Sequence, residues 1–472
     1  MKVYINTKKA ALLLMLGTGL TLSSCNKWLD VQPKTELKQE DLFSTQQGFY
    51  EAMTGAYVTM TDEGTYGREL TIGMLSVMAS DYSVESSSQQ AIEYLKPVEN
   101  FDYEKGQFKS MIGGIWLKQY NTVAQVNAIL ENIDAKKHLF TGENFNLIKG
   151  EALALRAYIH FDLLRLFAPA YVAKDAQKYL PYVTSYGRNA TPFSDVDGVI
   201  NATLKDLDEA EVLLVKDPIG NRGTVDRQLR MNLYAVKGLK ARIYLYMGNK
   251  PLAFAKAKEV IDANKVRLMA AGTDVNLDRS FHTEHLFSIF KEKHDTRVVV
   301  WLRVGDGTGN GGVPYYFTTQ TKLSTNIFKN QPTDVRFKMP MIMPFSGNLT
   351  PHKYLYEDLS PSTLGMKKNY IPLMRISEIY YIAAEAAPDA ATGFEYLNKV
   401  LTSRGLQTLT VTADLQAELK SEYRKEFFTE GQTFYYYKRL NANQLDDSPV
   451  TQMTAQTYVL PLPDDEKIFG GR

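Results

Sequence analysis

The stretch "FHTEHLF" sets His282 and His285 three residues apart with Glu284 between them. Imidazoles and a carboxylate so close are raw material for a metal site. Zinc, however, takes three or four protein ligands, and this is not the H-E-x-x-H pattern that turns two histidines onto one helix face. No third ligand is evident, so two polar surface histidines and no metal are expected. "GTGNGG" contains G-x-G-x-x-G at Gly307, Gly309 and Gly312. A dinucleotide site needs a helix to open there, with its N-terminus on the pyrophosphate. "VPYYF" follows instead, and Pro314 sits two residues on, so a turned loop without a cofactor is expected. G-x-S-x-G does not occur. Acid pairs such as Asp464-Asp465 are common, and sequence does not show the roughly 5–10 Å carboxylate separation of a glycosidase. His160, in "RAYIHFDLLR", reads as a core histidine with satisfied nitrogens.

Binding chemistry is better represented. A sugar ring offers C–H faces to aromatic rings and hydroxyls to amide, carboxylate or guanidinium groups; peptides use aromatic pockets plus backbone hydrogen bonds. Two loop stretches combine such groups. One holds Tyr66, Arg68, Asp81 and Tyr82; the other holds Tyr315, Tyr316 and Phe317, just after the glycine run. These seven are the candidate ligand contacts. Trp116 falls in a helical stripe and Trp301 in an apolar strand, "RVVVWLRV", so both are expected in the core. With 29 tyrosines against 3 tryptophans, a tyrosine-lined cleft for a shorter glycan or a peptide is favoured over a flat platform for a long glucan. "EYRKEFFTEGQTFYYYKRL" carries Arg424, Glu426, Glu430, Tyr435, Tyr436, Tyr437, Lys438 and Arg439. It reads as a terminal helix packed on the body with its charges paired, rather than as a sugar platform.

The only cysteine of the 472 residues is Cys25. Ahead of it stand a basic head with Lys2, Lys8 and Lys9, an apolar run "AALLLMLGTGLTL", and Ser23-Ser24. That is a secretory signal, too short to span a bilayer comfortably. Leu22-Ser23-Ser24-Cys25 resembles a bacterial lipobox, with cleavage before Cys25 and acylation on it; stable anchoring takes two or more chains. Residues 1–24 are thus a lipoprotein signal peptide, 25–40 a polar tether, and 41–472 one domain. Removing the signal leaves 51 basic against 53 acidic residues, a net −2. That balance supplies no basic field for nucleic acid. One cysteine excludes an internal disulfide, so core burial must stabilise the chain.

The elements that position these residues are helical. Phe49, Met53, Ala56 and Met60 recur at helix spacing. So do Trp116, Tyr120, Val123, Leu130 and Ile133, with Asn127 interrupting as a helix–helix hydrogen bonder. "IKGEALALRAYIHFDLLRLFAP" is apolar nearly all round, which marks a helix packed between neighbours. Ala241, Tyr244, Gly248 and Ala253 match the spacing of a tetratricopeptide helical pair. "YIPLMRISEIYYIAAEAA" and "ATGFEYLNKVLTSRG" form another pair, and a long helical region closes the chain. Residues 61–112 and 262–370 lack a regular period and read as long irregular insertions.

Seven pieces occur in order: "CNKWLDVQP", "GGIWLKQYNTVAQVNAIL", "GEALALRAYIHFDLLRLFAP", "NLYAVKGLKARIYLYMGN", "YIPLMRISEIYYIAAEA", "EYRKEFFTEGQTFYYYKRL" and "YVLPLPDDE". Together they resemble the SusD/RagB family of Bacteroidetes surface nutrient-binding lipoproteins. The resemblance implies a mainly α fold, a degenerate tetratricopeptide-like scaffold with long irregular insertions and a few short strands. It implies an outer-membrane lipoprotein facing the exterior. Its implied partners are a SusC-like TonB-dependent barrel transporter and a glycan or peptide nutrient, with no catalysis and no cofactor. Family ligand sites come from loops in roughly the two stretches named above. The alternatives are a surface glycosidase or peptidase, and a structural lid that binds nothing.

Overall fold

The computed structural model describes residues 39–469 apart from 87–88, 188, 220–225, 303–315, 339–340, 346–347 and 357–364. Cys25, the signal and most of the tether lie outside the described residues, as do Tyr315 and the glycine run.

Helices dominate, as expected. After a short turn of helix, α1 spans Gln46–Met60, α2 Met74–Met78, α3 Gln89–Glu99, α4 Gly106–Ile133, α5 Asn144–Phe167 and α6 Val196–Leu213. Then come α7 Leu233–Tyr246, α8 Lys250–Ala263, α9 His294–Leu302, α10 Ile376–Ala386, α11 Ala390–Ser403, α12 Leu415–Glu426 and α13 Gln432–Arg439. Strands are short and paired two by two, all antiparallel: Leu180–Pro181 with Phe193–Ser194, His285–Phe290 with Tyr370–Arg375, and Ile342–Phe345 with Asn348–Pro351. No described helix is long and apolar enough to cross a membrane.

Local chemistry explains the pairs. Thr45 starts α1 by accepting the Gly48 amide at 3.1 Å, a side-chain cap for an orphan donor. Gly248 ends α7 with φ +76°, the left-handed turn that glycine adopts at no steric cost. Asn249 then caps α8, while Ala241 and Ala253 are fully buried between the two helices. Helix α5 lies at the centre and is buried on all sides from Gly150 onward. A Cβ on Gly150 would sit 2.7 Å from Leu214 Cγ, so α5 approaches the end of α6 at a distance only glycine permits.

Four expectations are corrected. First, residues 61–112 are not simply irregular: they contain α2, α3 and the start of α4. The long helix begins at Gly106, ten residues before its apolar stripe, because Gly106, Gly113 and Gly114 dilute the periodic signal. Second, residues 294–302 form helix α9, not a strand. The β-branched run favours a strand locally. Burial nevertheless follows a helical period: His294, Val298, Trp301 and Leu302 point inward while Val300 is exposed. Third, His282 and His285 are buried, not on the surface. His282 meets Asp278 Oδ1 and the Lys367 carbonyl, and His285 meets Ser280 O and Ser288 Oγ. Glu284 joins an ion-pair network with Arg375 and Arg404. Fourth, the closing helical region is broken at 427–431, where Thr429 and Gly431 take positive φ.

Other expectations hold. Trp116 and Trp301 are core. Asn127 accepts from Arg156 of the neighbouring helix and donates to the Val183 carbonyl. His160 faces the Arg156 carbonyl through Nδ1 and takes the Val183 amide on Nε2; burial pushes its pKa down to about 4.

Candidate functional site

The two candidate stretches meet in space. The Ser83 amide donates to the Phe317 carbonyl at 2.9 Å, and Lys322 Nζ donates to the Tyr82 carbonyl at 2.5 Å. The Tyr82 and Tyr316 rings lie 5.0 Å apart. Their side chains turn inward, however. Tyr66, Asp81, Tyr82, Tyr316 and Phe317 are each no more than 2% exposed. The Tyr66 hydroxyl donates to Asp162 at 2.7 Å and accepts from Gln119 at 2.9 Å. The Tyr82 hydroxyl donates to the Ile72 carbonyl. These side chains form the framework beneath the surface.

Asp81 accepts the Thr429 amide at 3.0 Å, tying the first excursion to the turn between α12 and α13. Burial pushes its carboxyl up to about 6, against the pull of that amide. A raised folded pKa means that the native state binds the proton more tightly than the unfolded chain. Its contribution to stability is therefore present at pH 4 and lost as pH rises through 6. Asp81→Asn removes that dependence. In urea melts the variant should gain on the wild type between pH 4 and pH 6, by roughly 2–3 kcal/mol in all.

Above this framework opens a cleft of about 480 Å³, inside the usual size range for small-ligand sites. The turns of residues 61–73 form one wall. Tyr94 of α3 and the first three turns of α4 form the other, through Gln107, Ser110, Met111, Gly114 and Lys118. Among the described residues, Arg68 is the one candidate that lines it. The Arg68 guanidinium is anchored on Glu69 at 2.6 Å, reaches Glu63 at 3.5 Å, and lies 5.4 Å from the Trp301 ring centre. Glu63 is shared with Arg297 at 2.6 Å. Lys118 pairs with Asp62, whose second tie is the Gly64 amide at 2.7 Å. Burial raises the Asp62 carboxyl, but Lys118 and Gly64 outweigh it and the net movement is downward. Each lining carboxylate is thus held by a cation.

Glycines shape the α4 wall. A Cβ on Gly106, Gly113 or Gly114 would meet no atom within 4 Å. Glycine inside a helix costs about 1 kcal/mol relative to alanine, and no close packing explains it here. What the absent side chains leave is space: Gly106 and Gly114 line the cleft, while Gly106 and Gly113 line a neighbouring groove of about 270 Å³ against Pro461–Asp464. Sequence reasoning missed Lys118, Tyr94 and these glycines. The legible signal was the glycines themselves, set in an otherwise regular helix.

No group of three or more His, Cys, Asp or Glu side chains that could hold a metal occurs among the described residues.

A stack of paired helices carrying a surface cleft in its first excursion defines the class. Residues 27–245 match a SusD-like family described as "starch-binding associating with outer membrane", and residues 287–469 match the SusD family. The chain belongs to the SusD/RagB family. A SusD-like protein P2 from Formosa agariphila is 24% identical, with 95% of each chain covered. A SusD-like carbohydrate-binding protein from Bacteroides vulgatus superposes with a TM-score of 0.71 at 20% identity, covering 90% of this chain and 96% of that one. Another SusD-superfamily structure from Bacteroides vulgatus gives 0.70 at 23% identity, covering 90% and 97%.

Proposed function

We propose that this chain is the lipid-anchored, outward-facing binding subunit of an outer-membrane uptake complex. It captures an oligosaccharide in the cleft over α4 and passes it to a TonB-dependent barrel of the SusC type. One observation carries the site: Gly106 and Gly114 keep the cleft face of α4 bare, Gly114 at a cost in helix stability. The family descriptions supply the glycan and the membrane. The lining suits a sugar by polar recognition, because Arg68, Lys118, Gln107 and Ser110 can meet hydroxyls while Tyr94 offers a ring. The pairing of each lining carboxylate with a cation supports binding over hydrolysis, since none stands ready as a free acid or base.

Titration calorimetry of residues 26–472 against neutral glycans, acidic glycans and peptides tests this reading. Arg68→Ala should weaken the best ligand by about 10- to 100-fold, the range for losing a hydrogen bond to a charged group. Turnover of any of these compounds would favour the enzyme instead. Absence of binding to all of them, with a barrel still co-purifying, would favour a structural lid. For the anchor, Cys25→Ser should abolish incorporation of labelled palmitate; labelling that persists removes Cys25 from the proposal.

A further inference from the structure

A second, smaller cavity lies inside the helical stack, away from the cleft. Its volume is about 40 Å³, and its lining includes Arg165, Arg242, Glu378, Gln432, Tyr435 and Arg439. That is room for one small ion with a water. Five helices meet there: α5 through Arg165, α7 through Arg242, α10 through Glu378, α12 through Tyr423 and α13 through Tyr435.

The chemistry of the lining is rich in donors. Arg165 Nε, Arg242 Nη1 and the Tyr435 hydroxyl have no hydrogen-bond partner among the described residues, nor does the nearby Tyr158 hydroxyl. All four side chains are at least nine-tenths buried. Arginine does not deprotonate in proteins, so its N–H groups need acceptors. The acceptors at hand are engaged. Both Glu378 oxygens take Arg242 N–H groups at 2.6 Å. The Asp162 oxygens take Arg165 and Tyr66. Gln432 Oε1 takes Arg165 Nη1 at 3.4 Å, and Glu385 takes Arg439 at 2.7 Å. A single acceptor placed between these donors satisfies them together, and an anion does so with charge-assisted hydrogen bonds.

The lining carries matched charges. Arg165, Arg242 and Arg439 are balanced by Asp162, Glu378 and Glu385. Lys438, behind the lining, is buried against the Leu166 and Tyr458 carbonyls at 3.2 and 2.7 Å, and burial together with the field of Arg165 pushes its pKa well below the usual lysine value. No carboxylate among the described residues pairs with it.

We propose that this cavity binds one small monovalent anion of halide size, held by Arg165 Nε, Arg242 Nη1 and the Tyr435 hydroxyl. The ion ties together three helices that are distant in sequence, α5, α7 and α13. It enters by the half-buried Gln432 and Arg439.

Bromide is the probe. Crystals of residues 26–472 grown in sodium bromide should show one anomalous peak in the cavity, in contact with Arg165 and Tyr435. In solution, Tm should climb with the logarithm of bromide concentration relative to gluconate at equal ionic strength, as expected for a ligand that binds only the native state. Tyr435→Phe removes a donor and no packing volume. It should cut the bromide affinity at least tenfold and flatten the Tm rise. Density without an anomalous signal, or a Tm response identical in bromide and gluconate, overturns the proposal. An unchanged bromide response in Tyr435→Phe does so as well.

Discussion

Glu426→Gln is expected to lower the free energy of unfolding by about 3–5 kcal/mol, the cost of breaking a buried ion pair from one side. Glu426 is fully buried at the end of α12. Its Oε1 accepts from Arg404 Nη2 at 2.6 Å and from Arg375, and its Oε2 accepts from Arg336 at 2.8 Å and Arg404 Nε at 3.0 Å. The same cations reach Glu284, Glu430, Asp334 and Glu422. Lys353 and Lys425 add two more charges, on Glu430 and Glu422. Five cations thus face five carboxylates, all largely shielded from water. Glutamine removes one negative charge and points an amide donor at two guanidinium groups, whichever oxygen it replaces. The network clamps residues 262–370 onto the helical stack, because Arg375 ends one strand of the pair and Glu284 immediately precedes the other. Urea melts measure the loss, since urea does not screen charge. Glu426→Gln with Arg404→Met should cost less than the sum of the single changes, because the pair is coupled. Additive losses would show that the pairing carries no energy. The pH dependence has a definite sign. Burial raises the Glu426 carboxyl, but Arg404 and Arg375 prevail and hold it well below the usual carboxylate range. Its stabilisation is complete above about pH 4.3 and lost as pH falls below that.

Gly114→Trp is expected to abolish ligand capture, by about 100-fold or more in affinity, equivalent to roughly 3 kcal/mol. The indole would project into open space on the cleft side of α4, where a Cβ meets no atom within 4 Å. It fills the cleft without crowding the core. Gly114→Ala is the control. It should raise stability by about 1 kcal/mol through helix propensity alone, and leave most of the binding intact. Calorimetry and thermal melts on both variants separate the effects. If Gly114→Trp binds the ligand as well as the wild type does, the cleft is not the capture site. Arg68→Ala would then be read as a change in the Glu63–Glu69 framework.

How much of this was legible beforehand depends on the range of the interaction. Periodicity and capping are local, so the helical pairs, the turn at Gly248 and the core roles of Trp116 and His160 followed from neighbouring residues. Family resemblance rested on the same stretches. Burial of polar groups is not local. A charged helix end reads the same whether water or five buried carboxylates answer it. Hence His282 and His285 read as surface histidines, although the Glu284 between them sits in that network. Tyrosines in turn-rich segments also read the same facing in or out, so Tyr66 and Tyr82 could not be told from cleft-lining rings.

The amino-acid order by itself determined the helical stack, its paired organisation and its family, because each rests on apolar spacing within a few turns of chain. Only the tertiary structure decided which face of α4 stays bare, that residues 294–302 coil rather than extend, and that Arg68 reaches the cleft while its tyrosine neighbours support it from below. The physical reason is that burial and charge pairing are settled between segments far apart in the chain, where no local pattern records the outcome.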